Sequence, residues 1–446
     1  MTLASSPTPP RAPLMPLDEA MQRLLTAVQP LTGYASGIED VATLEADGRV
    51  LAQALVSALH VPPQDNSSMD GYAVRVADLS HLAAGELRRL PVAQRIAAGQ
   101  HGQPLQAGTV ARIFTGAPVP AGADAIVMQE LVHTDTDAQG QLWASFSHTP
   151  TLGEWIRRAG EDVSRGAEVL SAGQRLGAAE LGLAASLGRD RLQVARRPRV
   201  ALFSTGDELV MPGTVPPEAM PPGAIYNSNR FFLKALLNRC GCEVSDWGIV
   251  PDQREATLAA LAEAAHDHDL ILTSGGVSVG EEDHIKPAVQ QLGGLGLWQI
   301  AMKPGKPFAH GWVRRAPELA GVDAQGRILP SQAAHFIGLP GNPVSSFMTF
   351  LLLVRPFLWR LQGMTEVGLP QPYRLPAHFD LPKADKRREF LRVRRNAAGG
   401  LDLFPNQSSG VLTSAVWGEG VIDHPAGATI RAGDVVSYLP FAEFWS

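Results

Sequence analysis

The stretch "DLILTSGGVSVGEEDHIKPAVQQL", residues 269–292, decides how the central part of this chain folds. It opens with an apolar run of strand length and ends with apolar residues at helical spacing. Between them lies a glycine–serine loop whose backbone N–H groups suit an anion. Yet Glu281, Glu282 and Asp283 follow at once, and carboxylates repel anions. The stretch therefore predicts a strand–loop–helix unit whose loop binds a ligand that combines an anion with a cation.

The same alternation of strand and helix extends over residues 198–364. "RVALFSTGDEL", "EVSDWGIVPD" and "HFIGLPGNP" are typical of strands, whereas "SNRFFLKALLNRCG" and "QREATLAALAEAAHDH" are typical of helices. Alternation of this kind implies a parallel sheet covered by helices on both faces. Ligands of such sheets bind at the carboxyl ends of the strands. Residues 314–334 interrupt the pattern and are expected to form a surface excursion.

A chain of 446 residues is too long for one ordinary core, so we expect several domains. The predicted fold class is multidomain α/β: a central α/β domain with a parallel-type sheet, a β-rich inserted domain, a mixed N-terminal domain and a small C-terminal β domain. The expected boundaries are 1–15 for a disordered proline-rich tail, 16–60 and 151–197 for the N-terminal domain, 61–150 for the inserted domain, 198–364 for the α/β domain and 365–446 for the C-terminal domain.

Composition excludes several classes of protein. Hydrophobic residues make up 45% of the chain and charged residues 18%, which is typical of a soluble globular protein. A net charge of −6 argues against general binding of nucleic acid. The apolar run "FMTFLLLV", residues 347–354, is too short to span a bilayer and predicts a buried helix. The only cysteines, Cys240 and Cys242, are interpreted as structural thiols, which fits a reducing cytoplasm.

Polar residues gather directly after the predicted strands of the α/β domain. Any one of these loops could equally be a helix cap. Five loops that converge on one edge of a sheet favour a binding site instead. Acids beside a glycine loop and lysines suit a phosphate bridged by Mg²⁺. The charged residues collected at this edge are Asp207, Glu208, Asp252, Asp283, Lys303 and Lys306.

Further polar stretches lie outside these loops. Asp70 in "DNSSMDGYAVR" can be explained by a turn that leads into a strand. The arginines and acids of "EWIRRAGEDV" can be explained by a surface ion-pair cluster, which is normally worth little. The basic cluster Arg196–Arg199 is interpreted as a solvated turn.

Eight motifs taken together resemble one known family. In chain order they are "DNSSMDGYAVR", "TGAPVPAGADAIVMQE", "RRAGED", "LFSTGDEL", "IYNSNR", "TSGGVSVGEEDHIK", "KPGKPF" and "GLPGNPVSS". They resemble the molybdopterin molybdenumtransferase family of molybdenum cofactor biosynthesis, which includes the C-terminal portion of gephyrin. The resemblance runs from about residue 16 to the C-terminus, apart from residues 314–334.

The resemblance implies a four-domain homodimer in which the α/β domain binds molybdopterin. Each active site lies between the α/β domain of one protomer and the first two domains of the other. The implied reaction inserts molybdate into adenylylated molybdopterin and releases AMP, with Mg²⁺ as cofactor. The implied setting is the cytoplasm, without nucleic acid or membrane partners but with a transient contact to the adenylyltransferase that prepares the substrate.

The resemblance also implies roles for individual residues. The implied catalytic residues are Asp70, Thr115, Asp162, Glu208, Asp252, Asp283, Lys303 and Lys306, of which Asp252, Asp283 and Glu208 hold the metal. The implied substrate-binding residues are Ser274, Gly275, Gly276, Ser278, Gly280, Pro307, Pro340, Gly341, Asn342, Pro343, Ser345, Arg392 and Ser409. Lys303, Lys306 and Ser345 cradle molybdate, and Arg392 reaches in from the last domain with Ser409 or its rival Ser408. Asp70, Thr115 and Asp162 approach from the partner protomer.

Two other functions remain as alternatives. A molybdopterin adenylyltransferase shares the α/β domain and its glycine loop, but the additional domains argue against it. A non-enzymatic scaffold is the second alternative, because gephyrin also binds receptor segments. A scaffold has no need for the acids and lysines at the sheet edge, so their presence favours catalysis.

Overall fold

The computed structural model describes residues 14–80, 82, 85–251, 253–276 and 284–445. Two short helices and twelve strands occupy the first 195 residues. These elements are α1 (Leu17–Thr26), β1 (Ile38–Ala42), β2 (Leu55–Val56), β3 (Asn66–Ser67), β4 (Gly71–Val74), β5 (Arg88–Ile96), β6 (Val110–Ile113), β7 (Ala125–Met128), β8 (Val132–Thr136), β9 (Leu142–Phe146), β10 (Ile156–Arg157), β11 (Glu168–Leu170), α2 (Ala178–Ser186) and β12 (Arg191–Ala195).

Three antiparallel ribbons and one sheet organise this part of the chain. The ribbons pair β1 with β12, β2 with β11 and β3 with β10. Each ribbon therefore joins an early segment to a late one. The chain between β3 and β10 forms a separate six-stranded sheet in the order β7-β4-β6-β5-β9-β8. Its core contains Tyr72, Val74 and Phe146.

The first helix packs away from these ribbons. Leu17, Ala20 and Leu24 of α1 are buried in one cluster with the strand and helix residues of the α/β domain. Just before the helix, Met15 forms a parallel bridge with Ile300. Helix α1, which lies within the range expected for the N-terminal domain, is thus part of the central core.

The α/β domain contains the next nine strands and five helices. These elements are β13 (Arg199–Thr205), β14 (Leu209–Val210), β15 (Ile225–Tyr226), α3 (Asn229–Arg239), β16 (Glu243–Val250), α4 (Arg254–Asp267), β17 (Leu270–Ser274), α5 (Ile285–Leu292), β18 (Gly293–Gln299), β19 (Met302–Lys303), β20 (Pro307–Arg314), β21 (Ala333–Leu339), α6 (Pro343–Thr349) and, after a π-helical turn at Phe350–Val354, α7 (Arg355–Leu361).

The central sheet is mixed, which corrects the expectation of a parallel sheet. Its order is β16-β13-β17-β21-β20-β18. The first four strands are parallel, but β20 runs antiparallel to both β21 and β18. The connection over residues 315–332 brings the chain back beside β20 in the opposite direction.

The apolar helix predicted at residues 347–354 is buried but longer than expected. Pro343–Leu361 forms one continuous helical stretch with the length and composition to cross a membrane, and 89% of its apolar window is buried inside the protein. Phe350, Leu352 and Phe357 are fully enclosed. Such burial is typical of a core helix.

The C-terminal part forms a small sheet that also captures one strand of the α/β domain. Its order is β19-β23-β25-β26-β22, with the short β24 beside β23. Strand β19 thus links the central domain to this sheet. The elements are β22 (Tyr373–Pro376), β23 (Arg388–Arg395), β24 (Leu401–Leu403), α8 (Thr413–Trp417), β25 (Gly420–His424) and β26 (Val435–Pro440).

Arg196, interpreted above as part of a solvated turn, instead forms a buried ion pair. Both of its terminal nitrogens lie 2.7 Å from the carboxylate of Asp269, which is 3% exposed. The backbone N–H of Arg199 donates to the same carboxylate at 2.8 Å. The cluster therefore fixes the start of β13 beside the start of β17.

Candidate active site

A cavity of about 650 Å³ lies at the carboxyl ends of the parallel strands. Its walls come from the loops after β13, β17 and β21, the segment before α3, the start of β20 and one residue of the C-terminal part. The described lining residues are Thr205, Glu208, Leu209, Ile225, Tyr226, Asn227, Ser228, Asn229, Ser274, Gly275, Gly276, Pro307, Pro340, Gly341, Asn342, Pro343, Ser345 and Gly410.

Two glycines let the loop after β17 turn sharply against β13. Gly275 and Gly276 have φ angles of +98° and +68°, a region that favours glycine. A Cβ on Gly275 would lie 2.7 Å from the carbonyl oxygen of Thr205, and one on Gly276 would lie 2.9 Å from Ile285. Neither position has room for a side chain. The backbone of the loop therefore lies directly against β13 and α5, and the predicted binding of phosphate by this loop stays a prediction.

Asn229 holds three parts of the cavity together. At the start of α3, its side-chain amide donates hydrogen bonds of 2.7 Å to Ser274 Oγ and 2.7 Å to the carbonyl oxygen of Gly341. Asn229 is 8% exposed. Because Ser274 accepts this bond, its own hydroxyl proton is free to be donated to a ligand.

The long helix that begins at Pro343 points its N-terminus at the cavity, where helices attract negative charge. Ser345, in the first turn, is 4% exposed and lines the wall. One orphan donor of this turn is already occupied, because Val344 N–H donates to the carbonyl oxygen of Ser409 at 2.9 Å. The C-terminal part thus reaches the rim of the cavity through its backbone.

Glu208 is the single carboxylate among the described lining residues. It follows Gly206, whose φ angle is +139°. A Cβ on Gly206 would lie 2.5 Å from a carboxylate oxygen of Glu208, so the acid folds back over the glycine. No described lining residue is lysine, arginine or histidine. Within the described wall, neutral donors and one carboxylate are the groups that meet a ligand.

Two buried donors at the cavity lack an acceptor among the described residues. Thr205 Oγ1 and Asn227 Nδ2 have no hydrogen-bond partner there, and the two residues are 8% and 1% exposed. The amide orientation of Asn227 is fixed, because its Oδ1 accepts from Arg230 N–H at 3.2 Å. Thr205, Asn227 and Asn229 are not among the site residues predicted from the sequence. Asn227 and Asn229 belong to the motif "IYNSNR", which was the signal that could have identified them.

The structure brings together ten of the predicted site residues and leaves four untested. The ten that line the cavity are Glu208, Ser274, Gly275, Gly276, Pro307, Pro340, Gly341, Asn342, Pro343 and Ser345. The four that lie outside the described residues are Asp252, Ser278, Gly280 and Asp283.

The two predicted lysines differ in their surroundings. Lys303 Nζ lies 2.7 Å from Glu389 and 3.4 Å from Asp385, so it pairs with acids of the C-terminal part. The hydrogen bond to Glu389 raises the pKa of Lys303 despite its partial burial. Lys306 is half-buried, forms no ion pair with any described residue and accepts from Ile300 N–H through its carbonyl oxygen.

Asp385, which shares Lys303, is held ionised. Partial burial by itself raises its pKa, but hydrogen bonds from the Arg387 side chain and backbone, together with the charges of Arg387 and Lys303, lower the pKa to about 2. The carboxylate is therefore charged at neutral pH. Glu389 and Asp385 balance the charge of Lys303, which would have to leave both acids to contact a substrate oxyanion.

Arg392 and the serines of the last domain lie beside the cavity but do not line it. Arg392 is 1% exposed, and its guanidinium donates to Ser414 Oγ, to the carbonyl oxygen of Phe390 and to that of Ser408. Burial lowers its pKa to about 10. Ser409 contributes the carbonyl contact to Val344, and its neighbour Gly410 lines the wall.

Asp70 and Thr115 meet in the inserted sheet. The Asp70 carboxylate accepts hydrogen bonds of 2.8 Å from both the backbone N–H and the hydroxyl of Thr115. These bonds, the backbone one first, lower the pKa of Asp70. Asp162 is exposed, and its backbone N–H donates to Val61. None of these three residues is among the described residues that line the cavity.

Comparison with protein families covers nearly the whole chain. The MoeA N-terminal region (domains I and II) matches residues 15–188, a probable molybdopterin binding domain matches residues 201–360, and the MoeA C-terminal region (domain IV) matches residues 374–441. The three matches follow one another in the order of the three parts described above.

Individual relatives agree with the family matches. The molybdopterin molybdenumtransferase of Haemophilus influenzae is 38% identical over 383 residues, 85% of each chain, and molybdopterin molybdenumtransferase 2 of Mycobacterium tuberculosis is 36% identical over 422 residues, 92% of this chain and 94% of that one. The crystal structure of a molybdopterin biosynthesis MoeA protein from Pyrococcus horikoshii superposes with a TM-score of 0.79 at 25% identity, covering 96% of this chain and 100% of that one. The chain therefore belongs to the MoeA family of molybdopterin molybdenumtransferases.

Proposed function

We propose that this protein is a transferase that inserts molybdate into adenylylated molybdopterin and releases AMP. The observation that carries the proposal is the cavity at the carboxyl ends of β13, β17 and β21, lined by motif residues from each of these loops. The relatives named molybdopterin molybdenumtransferase support the reaction class.

The phosphate groups of the substrate are held by neutral donors. The hydroxyl of Ser274, the backbone of Gly276 and the first turn of the helix at Pro343 all line the cavity, whereas the N–H of Gly275 donates to the carbonyl oxygen of Leu339. Backbone N–H groups and a helix N-terminus favour phosphate oxygens. Thr205 and Asn227 add two donors that have no acceptor in the described part of the chain. A ligand rich in acceptor atoms satisfies these groups.

The donor set for Mg²⁺ is present in part. Glu208 supplies a carboxylate, a ligand type that Mg²⁺ prefers, and Asp252 and Asp283, the other two expected ligands, lie outside the described residues. Within the described part of the chain no three metal-ligating side chains converge. When bound, the ion neutralises charge on the phosphoanhydride. The role of the protein is to hold Glu208 over Gly206.

Lys306 and Ser345 are the proposed molybdate ligands of the α/β domain. Lys306 forms no ion pair with a described residue and precedes Pro307, which lines the cavity. Ser345 presents a hydroxyl in the first turn of the adjoining helix. An oxyanion needs a cation and donors, and these two residues offer both. Lys303 joins them only when it leaves Glu389 and Asp385.

The active site is proposed to be completed by a second protomer. Asp70, Thr115 and Asp162 belong to the N-terminal part and do not line the cavity of their own chain in its described portion. A homodimer that places them over the cavity of the partner would supply the missing groups. The proposed compartment is the cytoplasm, where the buried free thiols of Cys240 and Cys242 stay reduced.

One assay separates this function from its alternatives. Purified protein is supplied with adenylylated molybdopterin, molybdate and Mg²⁺ but no ATP, and AMP release and cofactor formation are measured. Both products are expected. A strict requirement for ATP would indicate an adenylyltransferase. Cofactor formation should be abolished in Asp252→Ala and in Asp283→Ala without loss of the folded dimer. Wild-type activity in both variants would remove the metal assignment.

A further inference from the structure

Trp155 is the one described non-glycine residue with a positive φ angle, +55°. A left-handed backbone is unfavourable for a bulky residue, and such strain often marks functional positions. The residue is 37% exposed, and no described ring or cation stacks on its indole. A strained, exposed tryptophan offers a large aromatic face to a partner.

The backbone around Trp155 is held firmly in this conformation. Its carbonyl oxygen accepts hydrogen bonds from Ser68 N–H at 3.0 Å and from Ser68 Oγ at 2.9 Å. The next residue, Ile156, pairs with Ser67 and packs into the core of the inserted sheet. Trp155 and Arg157, on either side of Ile156, are both exposed. The loop therefore presents a ring and a cation side by side.

The same segment adjoins the Asp70–Thr115 contact. Residues 66–68 lie between β10 on one side and the turn at residues 114–118 on the other, because Gly116 N–H donates to the carbonyl oxygen of Ser67 at 2.8 Å. Trp155 and Arg157 thus flank one edge of residues 66–68, and Thr115 flanks the other. Residues 66–68 thus connect this segment to the turn that contains Thr115, the hydrogen-bond donor to Asp70.

Arg157 has a charge without an acidic partner among the described residues, whereas its neighbour Arg158 pairs with Asp65 at 2.6 Å. The described residues that line the cavity include one carboxylate but no cation, so positive charge is lacking there. A phosphorylated substrate in that cavity needs positive charge from elsewhere. Arg157 can supply this charge when the surface of one protomer covers the cavity of the other.

We infer that Trp155 and Arg157 bind a phosphorylated planar heterocycle, with the indole stacked on the ring and the guanidinium on the phosphate. The inference rests on the proposed function and its dimer. Two parts of adenylylated molybdopterin have this chemistry: the adenine nucleotide and the pterin with its phosphate. An aromatic side chain can stack on any planar heterocycle, and such stacking is strong enough to affect binding measurably.

Calorimetric titration of the full-length protein with AMP and, separately, with molybdopterin, both in the presence of Mg²⁺, tests the inference. Trp155→Gly removes the ring and relieves the backbone strain, so its melting temperature should rise while affinity for one ligand falls by about fivefold or more. Trp155→Phe, which keeps a ring, should lose less. Arg157→Ala should weaken the same ligand by about tenfold. Arg189→Ala, the same change of charge at an exposed turn after α2, is the matched control.

Each outcome bears on a stated claim. If the variants lose affinity for AMP alone, Trp155 and Arg157 bind the adenine nucleotide. If they lose affinity for molybdopterin alone, the two residues bind the pterin. If Trp155→Gly and Arg157→Ala bind both ligands as tightly as the wild type does, the inference is overturned while the proposed function stands. Failure of the wild-type protein to bind either ligand would instead count against the proposed function itself.

Discussion

Asn229 Nδ2 lies 2.7 Å from Ser274 Oγ and donates a hydrogen bond that ties the first turn of α3 to the end of β17. The same amide reaches Gly341 beyond the end of β21. One buried side chain thus sets the spacing between three walls of the cavity. Asn229 therefore affects the site by positioning Ser274, and not only through a contact with the substrate.

Replacing Asn229 by alanine should therefore affect stability and substrate binding together. The carbonyl oxygen of Gly341 would lose its donor, at a cost of about 1–3 kcal/mol. The KM for adenylylated molybdopterin should rise more than kcat falls, since the wall moves but the reacting groups remain. Urea unfolding and steady-state kinetics measure both. Asn238→Ala, an exposed asparagine on the same helix, is the control, and equal behaviour of the two variants would contradict the positioning role.

Lys303 and Glu389 form a pair that joins two domains, and a double-mutant cycle should reveal it. Lys303→Met leaves Glu389, which is 5% exposed, without its cation, so the free energy of unfolding at pH 7 should fall by about 1–3 kcal/mol. Because the ammonium group of Lys303 is half-exposed, we expect this loss of unfolding free energy to lie towards the lower end of the range. Lys303→Met combined with Glu389→Leu should recover most of the loss, because it also removes the unpaired buried charge.

The activity of that double variant distinguishes two roles of Lys303. If the lysine serves only the interface between domains, molybdate insertion should recover along with stability. If it also leaves Glu389 to bind molybdate, stability should recover while insertion remains impaired. Measuring the free energy of unfolding and molybdate-dependent AMP release on the same preparations separates these results.

The order of the elements was predictable from the sequence, whereas strand direction was not. Apolar strands such as β17 and β21 alternate with amphipathic helices, and that alternation is visible in the residues. An antiparallel strand buried on both faces, such as β20, carries the same apolar pattern as a parallel one. The connection over residues 315–332 does not distinguish them either, because a loop of that length permits both directions.

The residues of the site also divide into those that were predicted from the sequence and those that were missed. Glycines and prolines that line the cavity were found because their loops follow strands directly. Asn227 and Asn229 were missed, since an asparagine that begins a helix serves as a cap whether or not it faces a ligand. Arg196 was interpreted as solvated because its partner Asp269 is 73 residues away in the chain. Contacts of that separation leave no local pattern.

Two buried histidines should make the protein sensitive to acid. Burial lowers the pKa of His310 to about 4, and burial together with the charges of His310 and Arg315 lowers that of His335 well below its usual value. The folded pKa values lie below that of an unfolded histidine, about 6.5, so the unfolded chain binds more protons below that pH. The stability due to neutral His310 is complete above about pH 6.5 and falls by about 3 kcal/mol towards pH 4.

Replacing both histidines by leucine should flatten this part of the pH profile. Three of their ring nitrogens have no hydrogen-bond partner among the residues that the structure describes, so the leucine variant should also be at least as stable at pH 7. Urea unfolding at pH 7 and pH 4.5 gives the comparison. His266→Gln changes an exposed histidine and serves as the control. An unchanged loss of stability on acidification in the double leucine variant would show that other groups cause it.

Gly206 and Glu208 provide a test of the proposed metal site that leaves the acid itself in place. A methyl group on Gly206 would occupy the position of the Glu208 carboxylate, 2.5 Å away, so Gly206→Ala should displace the acid from the cavity. We expect the Mg²⁺ concentration for half-maximal AMP release to rise by about tenfold or more, as in Glu208→Gln, which removes the charge. Asp207→Asn, at the exposed neighbour, is the control. If Gly206→Ala lowers thermal stability but keeps the wild-type Mg²⁺ requirement, the carboxylate of Glu208 does not hold the ion, because the glycine then serves the turn alone.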